Sequence, residues 1–192
     1  MYLSVVKDRI PGTILQKSAM GNVTGAEFLH KIFYISPGIM LSQIREISGI
    51  DGSTLQNWTK RGWVSNAKAK KYDIEQVARI LIINMLRDCM QLDRIAFLLR
   101  YINGDGDDAA VIISEVRLYD YLCRIIDELL GCESSASGDL RAMIEAKLTD
   151  YAEKVSGARN RLANALEIML IAYYASTLKA YSDAQLLTLM HR

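Results

Sequence analysis

The stretch GIDGSTLQNWTKRGWVSNAKAKKY, residues 49–72, decides how this chain is read. It holds both tryptophans, Trp58 and Trp63, and five cations: Lys60, Arg61, Lys68, Lys70 and Lys71. Between Asp51 and Asp73 there is no acidic residue. Gly49 and Gly62 bracket a short helical run, glycine being the residue that accepts the left-handed turn at a helix end. Asp51 or Ser53 can cap that run, and Ser53 with Gln56 has the spacing of a capping box. Just upstream, LSQIREIS (residues 41–48) offers Ser42 as an N-cap and sets Ile44 and Ile47 on one face. Two helices of about two turns, joined by a glycine turn with Ile50 as its apolar plug, make a helix-turn-helix.

Downstream, Trp63-Val64, the polar SNAKA and Lys70-Lys71-Tyr72 read as a small hairpin, a wing. Asp73 caps a long helix from Ile74 to about Met90 whose apolar residues cover most of its circumference, the mark of a buried helix. Leu92 to Ile102 gives another, with Ile95, Leu98, Leu99 and Ile102 at helical spacing, ending in NGDGDD.

The chemistry of residues 49–72 suits a polyanion. A recognition helix presents its N-terminal residues to base edges in the major groove. Here those are Ser53, Thr54, Gln56 and Asn57, and Gln and Asn pair bidentately with adenine. Lys60 and Arg61 at the helix end reach phosphate, and Lys68, Lys70, Lys71 and Tyr72 on the wing grip the backbone or minor groove. Leu55 and Trp58, three apart, are expected to bury together, and Trp63 to pack the base of the wing.

The order LSQIREISGI, STLQNW, RGWV, KKYDIEQVARI and LDRIAFLL over residues 41–102 resembles the DNA-binding head of MerR-type regulators. With YINGDGDD and LYDYLCRI added, the chain resembles an uncharacterised bacterial family, a domain of unknown function that carries this head. The MerR resemblance implies a winged helix-turn-helix that binds duplex DNA as a dimer. The chain departs from it at Gln56, where MerR heads usually have arginine, and at Asn57-Trp58, where an aromatic pair is usual. Its short wing carries lysines in place of arginines.

The rest of the chain bounds the answer. Of 192 residues 51 % are hydrophobic, and Lys+Arg number 23 against 22 Asp+Glu, so any electrostatic partner is met by a local patch. Two prolines favour helices over a sandwich of short strands. Cys89, Cys123 and Cys132 form no C-x-x-C pair and read as buried and structural in a reducing compartment. With only His30 and His191 beside them there is no metal cluster, and no cofactor motif or catalytic constellation occurs. His30 reads as a surface or packing residue. The longest apolar run, Ile168 to Ala175, is too short for a membrane span, and no signal peptide is evident, so a cytoplasmic protein is expected.

In residues 1–38, Ala26 to Ile35 reads as one short helix. Residues 103–108 begin like a calcium loop, but Asp108 stands where glycine is required and Ser114 where glutamate is, so a linker turn is the better reading. The tail is expected to hold helices at Ala109–Leu130, Asp139–Val155, Asn160–Tyr181 and, capped by Ser182 or Asp183, Ala184–Met190. Tyr119, Tyr121 and Tyr173 can line a small-molecule pocket, although tyrosine stripes are more often packing.

The expected architecture is mainly α: a MerR-like winged helix-turn-helix head with a small β-hairpin wing, and a C-terminal helical bundle. Residues 1–38 pack on the head or a partner, 39–103 are the head, and 104–192 are the dimerising helical tail. The expected function is a non-enzymatic, sequence-specific regulator of transcription that binds double-stranded DNA through recognition helix 53–61 and wing 63–72, as a homodimer. The rival reading is an adaptor that keeps the fold without binding DNA.

Overall fold

The computed structural model describes residues 7–104, 111–131 and 139–190. The acidic turn expected at 105–108, Cys132 with the loop that follows it, and His191 lie outside these residues.

Helices and one two-stranded sheet build the described chain: α1 (Gly25–Ile32), β1 (Ile39–Met40), α2 (Leu41–Ser48), α3 (Gly52–Lys60), β2 (Lys71–Tyr72), α4 (Ile74–Leu86), α5 (Leu92–Asn103), α6 (Glu115–Gly131), α7 (Leu140–Lys147) and α8 (Ala158–Met190). The protein is thus mainly helical. One apolar cluster runs from Ile10 to Leu170 without a break between the expected head and tail. At its centre lies α4, where Val77, Ala78, Ile80, Leu81, Ile82 and Ile83 are all buried, as its all-round apolar sequence requires. Around it, α6 packs on both α1 and α4, while α5 and α7 pack on α8.

The segment before α1 is tied to several neighbours. The N–H of Ile14 donates to the Ile47 carbonyl, Asn84 donates to the Gly12 carbonyl, and the Tyr119 hydroxyl donates to the Pro11 carbonyl at 2.7 Å. Gly12 has φ +75, and a Cβ there would lie 2.3 Å from the Leu81 carbonyl oxygen. No other residue fits so close to α4.

Several boundaries differ from the sequence reading. Ile39–Met40, not Trp63-Val64, pairs with Lys71–Tyr72, in antiparallel register Ile39↔Tyr72 and Met40↔Lys71. What remains of the hairpin is a tight turn in which Lys68 and Lys71 exchange two backbone hydrogen bonds of 2.9 Å. Helix α2 starts at Leu41 with Met40 as N-cap, because Gln43, not Ser42, supplies the side chain that satisfies the Met40 N–H. Helix α1 is shorter than expected, ending at Ile32, and α4 ends at Leu86 instead of Met90. Helix α6 begins only at Glu115, since Asn103 takes the backbone groups of Ile112 and Ile113 out of helical pairing. Beyond α7 a 3₁₀ turn at Leu148–Asp150 ends the expected long helix, leaving Val155 exposed. The two helices expected after residue 158 are one helix of 33 residues, because Asp183 pairs with Lys179 four residues earlier instead of capping a new start.

Candidate nucleic-acid interface

Helix α3 is set by its ends. Gly49, at φ +71, closes α2, and Asp51 opens α3 by accepting the Thr54 N–H at 2.7 Å. The hydroxyls of Ser53 and Thr54 also donate to Asp51, at 2.5 and 2.8 Å. Asp51 is therefore the cap, and the expected Ser53–Gln56 box does not form. These three donors hold the Asp51 carboxyl well below the usual carboxylate range, the Ser53 hydroxyl contributing most.

The inner face of α3 carries Leu55 and Trp58, both 1 % exposed. Trp58 is a core residue, as the sequence implied; losing such a side chain typically costs roughly 3–5 kcal/mol. Arg87, just past α4, lies over its ring at 5.9 Å. The outer face carries Ser53, Gln56, Asn57 and Lys60, with Thr54 half-buried. Among the described residues the side chains of Gln56 and Lys60 make no hydrogen bond, while Asn57 accepts from the Arg61 Nε at 3.4 Å. The Arg61 guanidinium lies 5.2 Å from the centre of the half-buried Trp63 ring, which turns the second tryptophan into a rest for a cation.

The loop after α3 is held from α4. The Gln76 amide donates to the Ser65 carbonyl, the Ser65 hydroxyl and the Asn66 carbonyl, while its oxygen accepts the Asp73 N–H. Arg79 donates to the Trp63 carbonyl at 2.6 Å and pairs with Glu115. Burial is the larger influence on Glu115 and raises its carboxyl; Arg79 pulls in the opposite direction. Sequence reasoning missed Gln76 and Arg79, since both sit on a helix that reads as plain core.

At the tip of the turn, Ala69 and Lys70 both have positive φ, +49 and +64, a conformation that favours glycine. It projects Lys68, Lys70 and Lys71 into solvent. Tyr72 does not join them. It is 8 % exposed, because alternation along β2 turns it inward opposite Ile39, so its side chain packs in the core instead of facing DNA as expected.

Among the described residues, Lys60, Arg61, Lys68, Lys70 and Lys71 form no ion pair. Several cations elsewhere are paired: Lys17 with Asp127, Arg117 with Asp150, Arg141 with Glu145 and Glu167, Lys147 with Glu128, and Arg159 with Glu145. The segment 60–71 thus carries positive charge that no carboxylate neutralises, with Arg61 held by Asn57 and the Trp63 ring.

The cysteines and tyrosines divide. Cys123 is fully buried and its thiol is pushed up to about 12, chiefly by burial. Cys89 is exposed, against the expectation of a structural core residue, because it follows the end of α4. Tyr119 and Tyr121 are packing residues, donating to Pro11 and Asp150. Tyr173 lines a cleft of about 290 Å³ with Asn84, Arg87 and Thr177, at the small end of ligand pockets. His30 is exposed, in keeping with a surface role. Among the described residues there is no group of three metal-ligating side chains, and no helix is long and apolar enough to cross a membrane.

Residues 34–122 match a family described as a domain of unknown function (DUF1836). The matched stretch contains β1 to α5, the first part of α6 and every proposed contact residue, and it runs through the expected boundary at 103–104. No curated protein and no solved structure matches the chain.

Proposed function

We propose that this protein is a sequence-specific duplex-DNA-binding regulator of transcription, acting as a homodimer, with α2 and α3 as a helix-turn-helix and the turn at 68–71 as its wing. The observation that carries the reading is the set of five exposed cations without acidic partners on the end of α3 and the turn after it. Phosphate contacts need such groups, and here they stand together on one edge of the fold with no carboxylate between Asp51 and Asp73 to repel a polyanion. Gln56 and Asn57, exposed one turn earlier, are the base-reading candidates. The similarity of residues 41–102 to MerR-type heads supports the same assignment. In binding assays on genomic fragments, log affinity is expected to fall linearly with log salt. Changing Lys60, Arg61, Lys70 and Lys71 together to Glu is expected to abolish binding while the circular-dichroism spectrum stays helical. Duplex affinity that survives the change overturns the assignment.

The adaptor reading has one observation of its own. The ionised Asp51 occupies the N-terminus of α3 and engages the hydroxyls of Ser53 and Thr54, where a DNA reader would meet phosphate and base edges. No enrichment of any genomic fragment at moderate salt favours the adaptor.

A further inference from the structure

Tyr34 and Ile35 are the two most exposed large apolar side chains among the described residues, at 88 and 93 %. They follow α1, which closes where the Phe33 N–H donates to the Leu29 carbonyl, and the partly buried Phe33 packs on the core. After them the chain is braced. The Ser36 hydroxyl donates to the Gly38 carbonyl at 2.7 Å, Pro37 fixes its own φ, and Ile39 enters the sheet opposite Tyr72. An apolar pair is thus held out in water by anchored chain on both sides.

The pair stands beside the lysine turn. A Cβ on Gly38 would lie 3.0 Å from the Lys71 Cβ, and Pro37 and Gly38 line a cleft of about 250 Å³ with Lys68 and Lys71. Asp73, which lines the same cleft, is engaged as the cap of α4, accepting the Gln76 N–H at 2.9 Å. From Phe28 to Arg45 the sequence has no acidic residue, and none stands between Asp51 and Asp73. The β1–β2 pair joins these two acid-free stretches edge to edge. Ile35 is three residues from Gly38, at most about 11 Å of extended chain, or about three base pairs of duplex.

We infer that Tyr34 and Ile35 form an apolar wedge that enters the minor groove next to the lysine turn and parts a base step of bound duplex DNA. The inference rests on the DNA reading above and adds a contact outside the helix-turn-helix and the wing. Such wedges are apolar side chains inserted between base pairs while neighbouring cations hold phosphate. The isoleucine fills the opened step, and the tyrosine ring stacks on the base it exposes. Pyrimidine–purine steps, TA and CA/TG, unstack most readily. The wedge therefore selects such a step at a fixed distance from the bases read by α3, a preference that no hydrogen bond to a base edge supplies.

Permanganate, which oxidises unstacked thymines, tests this on the genomic fragment that the full chain enriches most. The wild type is expected to create a reactive thymine at a pyrimidine–purine step within or beside its footprint. Tyr34→Ser with Ile35→Ser is expected to lose that reactivity and about tenfold in affinity, with the salt slope and the circular-dichroism spectrum unchanged. Tyr34→Phe with Ile35→Met is expected to keep both. Lys68→Gln with Lys71→Gln is expected instead to lower the salt slope. A bound fragment without a reactive thymine, or a serine pair that keeps the reactivity or the full affinity, overturns the inference and leaves the DNA reading standing. So does a serine pair that binds duplex normally but no longer retains a protein or an anionic lipid vesicle held by the wild type. If the chain enriches no fragment, the DNA reading falls and the wedge falls with it.

Discussion

The Gln76 amide nitrogen donates to both oxygens of Ser65, the carbonyl at 3.0 Å and the hydroxyl at 2.8 Å. A side chain on the central buried helix thereby fixes the loop that leads to the lysine-bearing turn. Gln76→Leu is expected to weaken duplex binding several-fold. Lost hydrogen bonds of this kind are worth about 0.5–1.5 kcal/mol each in stability. Amide hydrogen exchange should show faster exchange at residues 63–70 with the core unchanged.

The tip of the turn carries a backbone cost. Left-handed φ costs roughly 1–2 kcal/mol for a residue with a Cβ, partly balanced by the extra chain entropy of glycine. Ala69→Gly keeps every lysine and is expected to stabilise the fold by roughly 0.5–1 kcal/mol. A urea-unfolding midpoint measures it.

Asp51 is the cap of α3, and its carboxyl is held well below its ordinary range. A carboxylate with a lowered folded pKa stabilises above its unfolded value and loses that contribution as pH falls through the folded value. Asp51→Ala is therefore expected to lower the thermal midpoint at neutral pH, with the difference closing only in strong acid. Asp51→Asn, which also caps, should recover most of it.

Glu115 has the opposite sign. Its carboxyl is raised by burial, so its contribution is present below the unfolded value near 4.5 and is lost as pH rises through the higher folded value. Glu115→Gln is expected to flatten that descent in a series of unfolding curves across the weakly acidic range.

The thiols give a labelling test. Cys89 is expected to react with iodoacetamide in the native protein, and Cys123, buried with its thiol near 12, only after unfolding. Peptide mapping by mass spectrometry reads the two sites independently.

The legible parts of the sequence were those with strong local signals. Gly49 and Gly62 marked the ends flanking α3, and the apolar residues spread round α4 from Val77 to Leu86, broken only by Arg79 and Asn84, marked it as buried. The packing role of Trp58 followed from its spacing to Leu55. A two-residue strand such as Ile39–Met40 has no periodicity to read, so its pairing with Lys71–Tyr72 stayed hidden, and with it the inward turn of Tyr72. Ser182-Asp183 has the composition of a cap, yet nothing there breaks a helix, and the Lys179–Asp183 pair favours continuing it. Gln76 and Arg79 were invisible as loop holders because their partners are backbone carbonyls, which composition does not record.

The strap at residues 11–17 also sets an order of events. Pro11 meets Tyr119 across 108 positions of sequence, and Lys17 meets Asp127 across 110. During synthesis the strap emerges long before the helix that receives it. Its bonds to Ile47 and Asn84 can form earlier, but Pro11 and Lys17 must wait until most of α6 has left the ribosome, and only then does Gly12 sit on Leu81 with both sides of its berth in place. Contacts so distant in sequence slow folding. The last step of assembly in this protein is therefore expected to be the full docking of a segment made some hundred residues before the helix that receives it.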